Sequence, residues 1–162
     1  MAASYNLFSR GQLVPSEKYK QKYSEINWKS SPQENQTSLS VQLVPKPWGS
    51  ECIFANNELY CGKQITVSDQ WSSKGLYHSH PKKDETFFVT NGELLLDVEG
   101  KKMVLYPGDT YRIRPFTPHR FKAVGLSCTF LEVSTTHDDG DVIRGTLEAL
   151  RVHKWRAIKA KG

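Results

Sequence analysis

The sequence predicts an all-β fold, a sandwich or barrel, that begins near Val41. Short runs rich in Val, Ile, Leu, Tyr and Phe recur from Val41 to Ser134, each bounded by turn residues. Two of those boundaries carry specific turn chemistry. Glu99-Gly100 separates LLLDV from KKMVLY and reads as a hairpin turn, and Pro107-Gly108-Asp109 reads as another. The length, 162 residues with ordinary apolar and charged fractions, suffices for one domain with a real core.

In chain order, residues 1–40 are polar and weakly patterned and read as an N-terminal extension. Ser16 to Ile26 has the content of a short helix capped by Ser16. Ser30 to Ser40, rich in Ser, Gln, Asn and Pro, reads as a linker or loop. The extension is either flexible or wraps the barrel or a partner subunit. Strands are expected at Val41–Val44, Ser50–Ala55, Leu59–Val67, Thr86–Thr90, Glu93–Val98, Lys102–Tyr106, Thr110–Ile113, His119–Val124 and Ser127–Ser134. They place the barrel at 41–136. The tail, 137–162, reads as helical from Asp141 to Trp155, with Leu147, Leu150 and Val152 packing outside the barrel.

The net charge of +5 and pI ≈ 9.1 favour anionic ligands such as phosphates or nucleotides. The basic residues are scattered, apart from a loose cluster from Lys154 to Lys161, and form no focused patch with aromatic platforms. Nucleic acid is therefore not an expected partner. Cys52, Cys61 and Cys128 make an odd count without a C-x-x-C pair, which argues against a disulfide frame and a thiolate zinc site. Cys61 and Cys128 fall in apolar strand patterns as small core residues. The opening MAASYNLFSRGQ lacks the apolar run of a signal peptide, and no stretch is long enough to span a membrane. The expectation is a cytoplasmic protein with no membrane partner.

The stretch GLYHSHPKKDETFFVTNG, Gly75 to Gly92, organises the chain. In an extended strand His78 and His80 point to one face, where two imidazoles can share a metal. Pro81 to Asp84 give a turn, after which Glu85 opens a strand lying alongside the first. His119, in RPFTPHRF, is a fourth donor. Three His and one Glu make a mixed N/O set suited to one divalent Zn, Fe, Mn, Ni or Co ion.

This run resembles the first motif of the cupin superfamily, G-x5-H-x-H-x3,4-E-x6-G. Only the Gly75 to His78 spacing departs from it. Gly108-x5-Arg114-x-Phe116-x2-His119 is similar to the second motif, G-x5-P-x-G-x2-H-x3-N. Arg114, Phe116 and Ala123 stand in place of the proline, glycine and asparagine. The resemblance implies a double-stranded β-helix (jelly-roll) barrel that binds metal through His78, His80, Glu85 and His119. It also implies a homodimer, which the first forty residues can serve.

Alternation says what else faces the pocket. Lys63 shares a face with Leu59, Cys61, Ile65 and Val67, which makes it a candidate for acid–base chemistry or for an anion, or else a rim residue reaching to water. Glu132 shares a face with Cys128 and Phe130. It is a pocket carboxylate if that face is inward and surface decoration if Thr129, Leu131 and Val133 are inward. Arg120 follows His119 and so points away from the pocket. Lys74 is expected near the mouth. Arg144, after the last strand, either grips a phosphate or hydroxyls there or is a helix-surface charge.

A narrower resemblance covers about residues 45–145. Lys46-Pro-Trp-Gly49-Ser-Glu51, Gly62-Lys63-Gln-Ile-Thr-Val67, Thr117-Pro-His119-Arg120-Phe121, Leu131-Glu132-Val133 and Asp138-Asp-Gly-Asp141-Val-Ile-Arg144 look like successive signatures of the type II mannose-6-phosphate isomerase cupin. It implies an aldose–ketose isomerase acting on a sugar or sugar phosphate through a metal-stabilised cis-enediolate. Lys63 or Glu132 would move the proton, and Arg144 or Lys74 would hold a phosphate. Three alternatives stay open: another metallo-cupin enzyme such as a dioxygenase, a non-catalytic carbohydrate-binding cupin, and a metal-independent nucleotide-sugar epimerase.

Overall fold

The computed structural model describes residues 41–160. The expected extension, with its helix at Ser16 to Ile26, lies outside the described residues. Nine strands and one long helix follow in order: β1 Gln42–Lys46, β2 Gly49–Asn56, β3 Cys61–Ser68, β4 Tyr77–Ser79, β5 Glu85–Val98, β6 Lys101–Leu105, β7 Thr110–Ile113, β8 His119–Ser134, β9 Ile143–Gly145 and α1 Leu147–Lys159. Every pairing is antiparallel. The strands run in the order β1-β2-β3-β8-β4-β9, and β5 joins β8 to β6 and β7, so the sheet curls into a jelly-roll half-barrel.

Glu99-Gly100 is the two-residue turn between β5 and β6. Both residues have positive φ, 54° and 90°, as a primed hairpin turn demands. At Pro107-Gly108-Asp109 the Asp109 carboxylate accepts from the Tyr106 amide at 2.8 Å. The two runs expected at Thr86–Thr90 and Glu93–Val98 form one strand, β5, with register shifts on either side of Asn91. Gly92 permits this: its φ is 74°, and a Cβ there would lie 2.5 Å from the Ser127 carbonyl oxygen. The runs on either side of Gly125 likewise merge into β8.

Two expectations are corrected. β5 does not lie alongside β4. The neighbours of β4 are β8 and β9, which set His78 opposite His119 and Arg144. The helix begins at Leu147 rather than Asp141, because residues 139–141 form a 3-10 turn and β9 returns to the sheet. Thr146 caps α1 by accepting from the Ala149 amide, and α1 packs on β4 and β9 through buried Leu150.

The core is apolar and strongly aromatic. Phe87, Phe121 and Phe130 sit with ring centroids 4.7–5.8 Å apart. Full burial of such a side chain contributes about 1.5–3 kcal/mol. Their upper edges meet the imidazoles, Phe121 against His78 at 6.0 Å and Phe87 against His119 at 6.2 Å. The candidate site therefore stands on a dry floor.

Candidate metal centre and pocket

β4 and β8 each place one histidine in the same row, since His78 and His119 are directly opposite. His80 follows at the end of β4. One ring nitrogen from each of the three lies within 4.8 Å of the others, and all three residues are buried. The nitrogens are sorted by their outer partners. The His80 Nδ1–H donates to the Asp141 carbonyl at 2.7 Å, and the His119 Nδ1–H donates to the Thr117 carbonyl at 2.9 Å. A carbonyl can only accept, so the neutral His80 ring keeps a lone pair on Nε2, while His119 Nε2 faces the Glu85 carboxylate at 3.1 Å. His78 Nδ1 and His119 Nε2 are buried and make no hydrogen bond. Buried ring nitrogens without a hydrogen-bond partner, in so close a cluster, suit a cation.

Burial, with neighbouring His119 and His80, holds the His78 imidazole well below its ordinary pKa. Burial lowers His80 to about 4. Both rings are therefore neutral near pH 7, the state that ligates metal. Burial by itself would raise the Glu85 carboxyl, but His119, Lys83 and His80 outweigh it and hold the group well below the usual range.

Glu85 stands beside the histidine cluster rather than within it. Its Oε1 is 3.1 Å from His119 Nε2, and its Oε2 is 3.0 Å from Lys83 Nζ. Lys83 also contacts Glu132 Oε1, so one ammonium bridges two carboxylates. All three side chains are 5% exposed or less. Burial would lower the Lys83 pKa, but Glu132 and Glu85 reverse it and push it up, so Lys83 stays an ammonium. The lysine is held from behind: the Asp141 carboxylate accepts the Lys82 amide at 3.1 Å and the Lys83 amide at 3.0 Å.

The ambiguous face of β8 resolves inward for Cys128, Phe130 and Glu132, while Val133 is exposed. Lys63 is also inward and 2% exposed, opposite Glu132 in the β3–β8 register. Its ammonium is taken up by Glu51 at 3.1 Å and His137 Nδ1 at 3.2 Å. The pocket wall carries Lys83 and Glu132, together with His137 and Glu51. Arg120 points outward, as expected, and pairs with buried Asp97 at 3.0 Å. Arg144 and Lys74 are exposed at the mouth, and Arg144 also lines the pocket.

Sequence reasoning missed Lys83, Asp141, His137, Glu51 and Trp48. In HPKKDE, Lys82 and Lys83 fall within the turn expected at Pro81 to Asp84. One signal was available: Lys83 and Glu85 are spaced by two, so they share a face if the strand continues backward.

Fold and site together define a cupin-type barrel with a candidate three-histidine metal centre. Residues 67–134 match the cupin domain family model Cupin_2. An uncharacterized protein of Methanocaldococcus jannaschii is 30% identical over 77 residues, spanning 44% of this chain and 60% of that relative's length. KdgF from Halomonas sp. superposes with a TM-score of 0.54 at 19% identity, over 61% of this chain and 89% of its own. The nucleoside dehydratase Pac13 of Streptomyces, solved with uridine, gives 0.54 at 9% over 65% and 84%. Oxalate decarboxylase from Bacillus subtilis gives 0.54 at 13% over 65% and 30%. At such identities these structures speak to the fold. The chain thus shares the cupin barrel fold with these structures, and the family model matches its residues 67–134. No helix among the described residues is long and apolar enough to cross a membrane.

Proposed function

We propose that this protein is a metal-dependent aldose–ketose isomerase acting on a sugar or sugar phosphate. The observation that carries the reading is the Glu85–Lys83–Glu132 bridge beside three convergent imidazoles. Isomerisation needs a base at C1/C2, a donor for the oxygen that gains charge, and a Lewis acid. A divalent cation held by His78, His80 and His119, with Glu85 as a further donor, would supply the Lewis acidity.

The chain's own groups divide the remaining work. Glu132, paired with the Lys83 ammonium, takes the proton from C2 and returns it to C1. Lys83 is too strongly held as an ammonium to act as a base, so it donates to the carbonyl oxygen as negative charge grows there. The hydroxyl proton passes from O2 to O1, and the carbonyl thereby moves from C1 to C2 with atoms balanced. The Phe87–Phe121–Phe130 floor keeps water from the underside. Lys63 braces Glu51 and His137 at the wall. Arg144 and Lys74 contact substrate at the mouth.

The test is proton NMR in D2O with metal-replete protein and a panel of aldoses and ketoses, free and phosphorylated. Loss of a C2 or C1 proton signal together with ketose or aldose formation is the expected result. No exchange across the panel, with metal bound, overturns the reading. His78→Ala with His80→Ala should abolish metal binding, and retained stoichiometric metal would refute the site itself.

A further inference from the structure

The three imidazoles are not held in the same way. His80 and His119 are each aimed through Nδ1 by a backbone carbonyl, from Asp141 and Thr117. His78 has no such partner: its Nδ1 is buried and makes no hydrogen bond among the described residues. Ligating imidazoles are ordinarily oriented through their second nitrogen. His78 therefore depends on the backbone that carries it, and that backbone is thinly laddered. β4 is three residues long, and its register with β8 is the single pair His78–His119. Its other neighbour, β9, is equally short. The chain enters β4 through consecutive residues of positive φ, Ser73 at 54°, Lys74 at 55° and Gly75 at 84°. Left-handed non-glycine residues persist only where the surroundings over-determine them.

Arg120 supplies that constraint. Its Nη1 donates to the Gly75 carbonyl at 2.6 Å, at the entrance to β4. Its Nε and Nη2 donate to Asp97 Oδ2 at 3.1 and 3.0 Å. The Tyr77 hydroxyl donates to the same oxygen at 2.7 Å. The guanidinium also packs on two rings, Trp71 and Tyr77, with each centroid 4.4 Å from its central carbon. Ser72 Oγ accepts the Phe121 amide at 3.0 Å and ties the same segment to β8. One planar cation thus joins both ends of the segment 71–77 to β5 and β8. Alternation explains the arrangement. Tyr77 and Arg120 each adjoin one histidine of the opposed pair, so they lie on the far face of the sheet, behind His78 and His119. Asp97 is fully buried and its Oδ1 has no partner, so Arg120 is what neutralises this carboxylate.

We infer that Arg120 is a positioning residue for the metal centre, a clamp that sets His78 against His119 from the back of the sheet. It acts by fixing where β4 runs, and hence where the imidazole without an outer hydrogen bond points. The guanidinium is required for this. A lysine ammonium lacks the flat fork that reaches Gly75 and Asp97 together while lying against two rings. The inference rests on the three-histidine centre and not on the isomerase reading.

Cobalt(II)-loaded protein tests this, because the visible absorption of the bound ion reports its ligand geometry without any turnover. Arg120→Lys should weaken cobalt affinity about 10–100-fold in competition with a chelator and should change the spectrum. Tyr77→Phe removes one hydrogen bond of the clamp and keeps the ring. It should move both readouts in the same direction and by less, and it carries the test if Arg120→Lys does not fold. Gly92→Ala, which strains the β5–β8 pairing instead of the clamp, should lower Tm and leave the spectrum as in wild type. Wild-type affinity and spectrum in the clamp variants would overturn the inference, whatever their Tm. So would an equal spectral change in Gly92→Ala, since any loss of stability would then suffice. The readings fail separately. A wild-type protein that takes up no cobalt removes the centre and the inference with it. Unchanged clamp variants of a cobalt-binding protein remove the inference alone. Proton exchange in D2O decides the isomerase independently of both.

Discussion

Asp141 holds His80 by its backbone carbonyl and the turn carrying Lys83 by its carboxylate, at 2.7 Å and 3.0 Å. One residue, 6% exposed, thus fixes a ring that can ligate metal and a lysine that can donate to substrate. Asp141→Ala strands the buried Lys83 amide and should cost about 1–3 kcal/mol. Loosening such an outer partner should also weaken metal affinity about 10–100-fold. Asp141→Asn keeps one acceptor and should fall between wild type and Ala in both urea unfolding and metal competition titrations. Equal behaviour of Asn and wild type would show that the charge is dispensable.

Lys83 and Lys63 are both buried and inward, yet only Lys83 lines the pocket. Lys83→Met should retain metal and lower kcat about 10²–10³-fold, the usual range for a lost donor to an oxygen that gains charge. Lys63→Met should leave kcat within about tenfold of wild type, since its role is to brace Glu51 and His137. Steady-state kinetics with metal analysis separates the two. The reverse ranking would return the chemistry to Lys63.

The buried imidazoles make the metal-free protein acid-sensitive. His80 titrates at about 4 when folded, against about 6.5 in an unfolded chain. Between those values the unfolded state binds a proton that the folded state refuses. Stability is therefore full above about pH 6.5 and is lost as pH falls through 4. The shift corresponds to at most about 3 kcal/mol for His80, and His78 adds to it with the same sign. Tm of the metal-stripped protein should drop steadily from pH 7 to 4.5. A flat profile would mean the rings are not desolvated.

Gly92→Ala tests the shared β5–β8 irregularity. The new methyl meets the Ser127 carbonyl oxygen at 2.5 Å in a left-handed backbone. The expected loss in urea unfolding is at least about 1–3 kcal/mol. A neutral result would show that the strands can slide to make room.

The turn-bounded apolar runs located β1 to β3 and β6 to β8 closely, and in β3 and β8 buried positions alternate with more exposed ones much as period-two patterning records. The three histidines were legible for the same reason. What patterning cannot record is which strand lies beside a three-residue segment. β4 was therefore set next to β5, whereas its partners are β8 and β9. Nor can it tell a solvated lysine from a buried one when the neutralising carboxylates come from other strands. Lys83 acquires its environment from Glu132, forty-nine positions along the chain by the sequence numbering. Alternation sets Lys63 on the apolar face of its strand and leaves the side of Glu132 open, because where each terminal group points depends on tertiary neighbours.

His119, His78 and Arg144 form one transverse row across β8, β4 and β9. Adjacent strands are about 4.8 Å apart, so the row advances from the imidazoles to the mouth cation in steps of fixed size. The hydrogen-bonded ladder holds that interval stiffly. For the proposed isomerase, that interval would work as a ruler between the reacting carbon at the imidazoles and whatever substrate group reaches Arg144. Shortening or lengthening a substrate by one carbon should be felt more strongly than inverting a hydroxyl in its middle.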